Sequence, residues 1–404
     1  MVKRVLVLLL DVVLMVACFS ALTLYPALSS YIATDMGIGR ELSWWISILF
    51  AAGVFASYAV GALRVWNGRP RALVVSSALL VALALLLSAV ASNPLELAAL
   101  RFVQGFASMA VPVFSAQIGA VLGDLAPLAL GVLFASTFFG GFLGFALASA
   151  LTPVIGWRGV YAVAGLIVFA SLGLWHFATP RESLAAIAAR RSGSESASPR
   201  FWRDPFTLLW GASFFPAMWI LFTVSTTMPL ALSRWGESTA LLASEELQLS
   251  LGVWSIVAGA LTSFLIRRGL NPISAIARVQ GLCLAMTFAA SMTIASARDP
   301  LQLYMGVAML GAVQGASPAF WSLPSFAYPR EVSDRAGFVL GMISNSAAMV
   351  GPVVSTVVAS CSIAYLWATL SIAAISGAAL TAIANTATPP IALNIPGYVR
   401  RRRR

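Results

Sequence analysis

Apolar stretches long enough to cross a lipid bilayer follow one another along this chain, separated by short polar breaks. A helix needs roughly 20 mostly apolar residues to span the hydrocarbon, and the 404 residues offer about twelve such stretches. The sequence therefore predicts an all-α membrane protein with transmembrane helices over residues 5–32, 42–64, 71–93, 95–122, 127–152, 157–178, 205–232, 247–266, 272–296, 300–324, 335–360 and 362–386.

The balance of residue types and the placement of charge both favour a membrane. Sixty per cent of the residues are apolar and only 10% are charged, whereas about a quarter of the residues of a soluble domain are charged. With the N-terminus in the cytoplasm, all but five of the 25 basic residues fall on the cytoplasmic side. Those five are Arg40, Arg158, Arg234 and Arg298 on the outer side, and Arg101 within a predicted helix.

This asymmetry follows the rule that basic loops stay inside, so the net charge of +11 reports orientation. It predicts a multi-pass protein of the cell membrane with both termini in the cytoplasm. A nucleic-acid partner is not expected, because no soluble basic face is present to bind one. We expect a monomer.

A polar, Ser-rich stretch divides the predicted helices into six and six. It predicts an N-terminal bundle over 1–178, a cytoplasmic linker over 179–204, a C-terminal bundle over 205–388 and a basic tail over 389–404. The halves echo one another, since three pairs recur at offsets of 203, 210 and 207 residues: Pro26 with Pro229, Gln104-Gly105 with Gln314-Gly315, and Gly144-Phe145 with Gly351-Pro352. Repeated halves of this kind are typical of one class of transporter.

Several kinds of chemistry lack their residues. His176 is the one histidine, which excludes a multi-histidine metal site, and no phosphate-binding loop of the GxxxxGK[ST] type occurs. Paired catalytic carboxylates are also missing, because Asp11 is the one acid clearly inside a predicted span. We therefore expect no cofactor, no metal and no enzymatic activity.

Two ionisable residues within predicted helices are candidates for function. Arg101 lies about two turns into the fourth helix, where a charge normally faces a cavity or a partner, or else reaches back to the surface. Asp11 lies about two turns into the first helix, where it is either a proton site or an acid that pairs with nearby basic residues. The matched Gln104 and Gln314 are further candidates for substrate binding or coupling.

Small and aromatic residues mark other helix faces. Ser136, Gly140, Gly144 and Ala148 recur every four residues, which favours close helix packing. Aromatic residues cluster on the seventh and tenth helices, where they line an apolar cavity or face lipid: Phe214, Phe215, Trp219, Phe320 and Trp321.

Ordered motifs resemble the major facilitator superfamily, near its branch of drug and small-molecule:proton antiporters. The loop from Gly61 to Arg71 is similar to the family's GxLaDRxGRR, and Arg101, Gln104 and Gly105 match its RxxQG. In helix 5 the antiporter glycines are kept in part as Gly131, Gly140 and Gly144. The corner Gly156-Trp157-Arg158 resembles GWRxxF, and Arg335-Ala336-Gly337 resembles RaxG.

This resemblance implies two six-helix bundles that rock about a central site and carry a small organic solute, coupled to protons. It implies a gating loop formed by Gly61, Gly68, Arg69 and Arg71, and sliding contacts with the opposite bundle at Gly131, Gly140, Gly144, Gly351 and Pro352. The loop's usual acid is Val65 here, so Asp124 is the candidate replacement, and the usual helix 5 proline is Phe145. An uncoupled facilitator and a non-transporting sensor remain open. Arg101 favours neutral, amphipathic or anionic substrates.

Overall fold

A computed structural model describes residues 2–63, 69–180, 203–232, 235–329 and 332–389, and these residues are helical almost throughout. By length and composition, eight helical segments in these ranges are able to cross a membrane. The helices are α1 (Val2–Leu22), α2 (Leu24–Met36), α3 (Arg40–Ala62), α4 (Pro70–Ala89), α5 (Pro94–Phe106), α6 (Val111–Leu122), α7 (Ala126–Ala178), α8 (Pro205–Ala231), α9 (Glu237–Arg267), α10 (Pro272–Ser296), α11 (Pro300–Leu310), α12 (Ala312–Ala327), α13 (Ser333–Asn345), α14 (Ala347–Cys361) and α15 (Ile363–Ala384).

Several helices begin at a shared signal, a polar residue followed by proline. The Asn93 side chain accepts a hydrogen bond from the Glu96 backbone at 3.0 Å, and Asp299 does the same for Gln302 at 2.9 Å. These side chains satisfy N–H groups that have no partner inside the helix. Proline fits the next position because its missing N–H would have been one of those groups.

The long helix α7 turns back on itself at Gly156. Its first part runs alongside α1, since Gly140 lies against Val16 and Gly144 against Ser20. Its second part returns, since Arg158 bonds to Asp35 and Trp175 bonds to Asp11. Gly156 has φ +66°, which favours glycine. The turn lies in the break predicted between helices over 127–152 and 157–178.

Four predicted spans are irregular at one point. The irregularity lies at Thr23 in the first, at the 3-10 turn Ala107–Ala110 in the fourth, at Gly311 in the tenth and at Ser346 in the eleventh. Two of these points have a local cause, because Pro26 and Pro112 each lack an N–H and crowd the carbonyl four residues earlier. Thr23, Gly311 and Ser346 keep helical dihedral angles and bond to the carbonyl four residues earlier, so these three spans stay helical there.

The part before the linker (α1–α7, the first half) contacts the part after it (α8–α15, the second half) along three lines. The first part of α7 packs on α9, α3 packs on α13 and α14, and α6 packs on α12 and α13. Following the predicted orientation, we call the end that holds Ala62 and Ser333 the inner end. Gly61, Gly119 and Gly131 contact the opposite half there, at Phe338, Ser325 and Ser255 respectively.

The predicted packing glycines divide into two groups. Gly131 lies against the backbone of Ser255, so it does meet the opposite half. Gly140 and Gly144 instead pack on α1, and Gly351 packs on Trp219 of α8 beside the buried Pro352, all within their own halves. The expectation that these last glycines slide against the opposite half was wrong, because a stripe of small residues shows close packing without showing which helix is the partner.

Substituting two glycines of α7 tests the close contact with α1. A Cβ at Gly140 would lie 2.6 Å from the Val16 carbonyl oxygen, whereas a Cβ at Gly173 meets nothing within 4 Å. Gly140→Leu should destabilise the protein by about 1–3 kcal/mol through overpacking. Gly173→Leu is the matched control and should melt like wild type. Equal melting temperatures for the two variants in detergent would contradict the contact.

Candidate functional site

Arg101 is held inside the first half by aromatic rings and an amide. The side chain is only 3% exposed, and its guanidinium centre lies 4.6 Å from the Phe50 ring and 5.1 Å from the Tyr25 ring. One nitrogen donates to Gln104 Oε1 at 2.7 Å. Cation–π contacts are strongest where water is excluded. The alternative in which Arg101 reaches back to the surface therefore does not hold.

Each residue of the Arg101-Gln104-Gly105 motif serves a different contact. Gln104 donates onward to Ser88 Oγ of α4 at 3.4 Å, which connects the arginine to a third helix. Gly105 lies directly against the Phe50 carbonyl of α3, and no side chain would fit there. The motif therefore locks α3, α4 and α5 around one cation.

The cation also lies beside the irregular point in the first span. Tyr25, whose ring faces Arg101, comes two residues after Thr23, where α1 ends and α2 begins. The Thr23 hydroxyl donates to the Phe19 carbonyl at 3.0 Å and lies 3.3 Å from the Gly141 carbonyl of α7. The junction of α1 and α2 at Thr23 is thus held from one side by α7 and from the other by Arg101.

Asp11 forms a second buried ionisable site, in a cluster separate from that of Arg101. Its side chain is fully buried, and Oδ1 accepts a hydrogen bond from Trp175 Nε1 at 2.8 Å. Its Oδ2 has no hydrogen-bond partner within the described ranges. The Arg71 guanidinium lies 5.8 Å from the Trp175 ring and donates to the carbonyls of His176 and Thr179.

The predicted gating loop lies partly outside the described residues, which include neither Gly68 nor Val65. Arg69 is exposed at the start of α4. Asp124 is exposed in the turn before α7 and forms no ion pair with any residue of the described ranges. A replacement of the missing loop acid by Asp124 stays a prediction.

Aromatic side chains close the contact between the halves near the inner end. Trp321 of α12 stacks on Tyr58 of α3 at 5.8 Å and lies 6.4 Å from Phe134 of α7, while Phe338 of α13 lies 6.3 Å from Tyr58. We call these four residues the inner aromatic cluster. The Ser115 hydroxyl of α6 also donates to the Trp321 carbonyl. The cluster therefore joins both halves and has to separate if they move apart.

The other predicted cavity aromatics have different surroundings. Phe214 and Phe320 stack at 4.1 Å and are fully buried inside the second half. Phe215 and Trp219 are half-buried, and Trp219 Nε1 donates to Ser355 Oγ at 3.1 Å. Gln314 is buried, and its Oε1 has no hydrogen-bond partner among the described residues.

Helix α9 carries residues that the sequence analysis missed. It begins at Glu237, ten residues earlier than predicted, so the half-buried Glu245 and Glu246 lie within it instead of before it. A Cβ at Gly141 would lie 3.5 Å from Gln248 Oε1 and 4.0 Å from Thr23 Oγ1. On the same helix, Ser250 packs against Gly311, which lies between α11 and α12.

Helix α9 thus contacts α7 of the first half and Gly311 of its own half. The signal was present as a stripe of small and polar residues spaced three or four apart: Gln248, Gly252, Ser255, Gly259 and Ser263. No group of His, Cys, Asp and Glu that could hold a metal ion occurs within the described ranges.

This architecture defines an α-helical, multi-pass membrane protein of the kind that moves small solutes. The sequence description of the Major Facilitator Superfamily matches residues 10–352, most of the chain, so the protein belongs to that family. Membership indicates a transporter and not an enzyme.

Solved structures share the fold. The human organic anion transporter MFSD10 (TETRAN) is 15% identical, with a TM-score of 0.65 over 95% of this chain and 98% of that one. The proton:xylose symporter XylE, bound to 6-bromo-6-deoxy-D-glucose, is 13% identical, with a TM-score of 0.71 over 95% of this chain and 94% of that one. No curated protein sequence matches the chain. The antiporter branch stays a prediction.

Removing Trp321 tests the inner aromatic cluster. In a background without the three native cysteines, Cys18, Cys283 and Cys361, a probe cysteine replaces Ser325, whose side chain lies against Gly119 of the opposite half. Trp321→Ala should raise the rate at which a maleimide labels Ser325→Cys, because the contact with Tyr58 and Phe134 is lost.

Phe214→Ala is the matched control for that variant, because the Phe214 ring stacks on Phe320 within the second half and its removal leaves the Phe320 ring beside Trp321 in place. The substitution should cost about 3–5 kcal/mol of stability without opening the inner end. Equal labelling rates in the two variants would contradict a closing role for Trp321.

Proposed function

We propose that this chain is a secondary active transporter that moves a small organic solute across the cell membrane by alternating access, coupled to protons. In this proposal twelve spans form two six-helix bundles, with the linker and both termini in the cytoplasm. The energy comes from an ion gradient, since the sequence carries no nucleotide-binding loop.

The observation that carries the proposal is the contact between the halves. It is made by backbone contacts at small residues, as at Gly131 and Ser255, and by the inner aromatic cluster. These contacts contain no ion pair among the described residues, so separating them exposes little charge. This supports a rocking motion in which the inner end opens while the outer end closes.

The contact of α9 with α7 supports the same motion. Gln248 of α9 lies beside Gly141 of α7, and Ser250 of α9 lies against Gly311. A movement of α9 against α7 therefore displaces Gln248 and also reaches Gly311 of the second half. Gln248 and the half-buried Trp219 are the side chains that we propose meet the solute, together with Gln314.

The proposed substrates are neutral, amphipathic or anionic. Arg101 is the cation inside the first half, and its contacts with Tyr25 and Phe50 make it a partner that positions the α1–α2 hinge. One solved structure of the same fold is an organic anion transporter, which makes organic anions a reasonable first class to screen. An uncoupled facilitator is the second candidate, favoured by the loss of the loop acid at Val65.

Asp11 is the proposed proton site. Arg101 remains charged at any accessible pH, so it cannot carry the proton. The Asp11 carboxyl is fully buried with one hydrogen bond, and an ionised carboxylate in such surroundings is costly. Taking up a proton removes that cost, which gives the two forms different energies in different conformations.

Flux in proteoliposomes tests the coupling. A ligand found by thermal shift serves as the solute, because binding to the native state raises stability. Asp11→Asn should leave solute exchange intact and abolish accumulation driven by an imposed pH step. Arg101→Ala should abolish both, since the hinge loses its support.

Glu246→Gln removes a half-buried carboxylate of the second half and should accumulate the solute as wild type does. Full accumulation by Asp11→Asn would eliminate Asp11 as the coupling site. Transport that never responds to a pH step, in wild type as in the variants, would instead identify a facilitator.

A further inference from the structure

We propose that Trp175 and Arg71 form a link that carries the protonation state of Asp11 to the inner end of the first half. This inference rests on the proposed proton coupling. Three helices meet in the link: α1 supplies the carboxyl, α7 supplies the indole and α4 supplies the guanidinium. The three side chains belong to three different helices, so a displacement of one side chain is passed through these contacts to the other two helices.

The geometry gives the link a direction. Asp11 Oδ1 accepts the Trp175 N–H, and its Oδ2 faces no hydrogen-bond partner among the described residues. At the other end of the link, Arg71 lies 5.8 Å from the Trp175 ring and donates to the Thr179 carbonyl at 3.2 Å. This carbonyl lies at the C-terminal end of α7, where the helix dipole favours a cation.

A proton arriving from the aqueous phase adds to Oδ2 and removes the negative charge of Asp11. The hydrogen bond from Trp175 then changes from a charge-assisted bond to a neutral one, which is roughly half as strong. The indole is freer to move away from α1. Because Arg71 follows directly on Pro70 at the start of α4, its displacement also moves the end of the predicted gating loop.

Among the side chains that the structure describes, few other ionisable groups are available to produce this effect. The ionisable side chains on the helices packed against α1, which are α2, α4, α6 and α7, are Tyr25, Tyr31, Asp35, Arg71, Arg158, Tyr161 and His176. Asp35 and Arg158 pair with each other, the Tyr25 ring faces Arg101, and the Tyr161 ring packs edge-on against Trp157. His176 is exposed and contributes its backbone carbonyl to Arg71. Trp175 is therefore the described contact that connects Asp11 to a cation.

Two readouts on the full chain in lipid nanodiscs test the link without a substrate. Infrared difference spectra after a pH step report the carbonyl band of a protonated carboxyl group, and Asp11→Asn identifies the part that belongs to Asp11. Maleimide labelling of Ser325→Cys reports opening of the inner end. The exposed Ser296→Cys corrects for the pH dependence of the thiol reaction itself.

The substitution that separates the steps is Trp175→Phe, which keeps a ring beside Arg71 and removes the N–H. In the parent protein, labelling of Ser325→Cys should change several-fold with pH. In Trp175→Phe this change should disappear while the Asp11 band still responds to pH. Arg71→Gln leaves the Asp11–Trp175 bond in place and should give the same result, which covers the case in which Trp175→Phe fails to fold.

Each failure has its own meaning. If no band belongs to Asp11, the proposed proton site is wrong, and the link falls with it. If the Asp11 band responds but labelling in Trp175→Phe and Arg71→Gln keeps the parent's pH dependence, the proton site stands and the link is overturned.

Discussion

A polar group inside the hydrocarbon can find a hydrogen-bond partner only within the protein, and this constraint shapes the whole chain. The backbone satisfies it by forming helices, and most buried hydroxyls satisfy it by bonding to a carbonyl one turn earlier, as Ser255 does with Leu251. Side chains that bond across helices are therefore the informative exceptions. Examples in the first half are Gln104 with Ser88, which also holds Arg101, and Asp11 with Trp175.

In the second half, neutral side chains make hydrogen bonds between helices. Gln280 of α10 donates to Ser213 of α8 at 3.2 Å and to Thr381 of α15 at 3.0 Å, so one amide joins three helices. The two halves thus hold their helices together by different chemistry. In the proposed mechanism the ionisable groups of the first half are the ones that respond to a proton. The contact between the halves needs no charge at the residues described, because small residues and the inner aromatic cluster make it.

The sequence predicted the helices well and their partners poorly. The lengths of the apolar stretches located most of the helices, and the turn at Gly156 lies where a break between helices was expected. Helix formation and the turn both depend on local chemistry. Gly144 was assigned to the wrong neighbour, since its spacing is the same whichever helix it meets. Gln248 lies inside the helix predicted over 247–266, but its position beside Gly141 of the other half depends on tertiary packing, and the aromatic residues around Arg101 are likewise brought together only by folding.

Alternating access requires that the two halves, which close at the inner end, separate there as rigid bodies. Spin-label distances measure this directly, with one pair at exposed inner positions, Asp124 and Arg268, and one at exposed outer positions, Leu95 and Ser296. We predict two populations in nanodiscs across a range of pH, in which the inner distance lengthens as the outer distance shortens. A single, unchanging distance for both pairs would contradict the account.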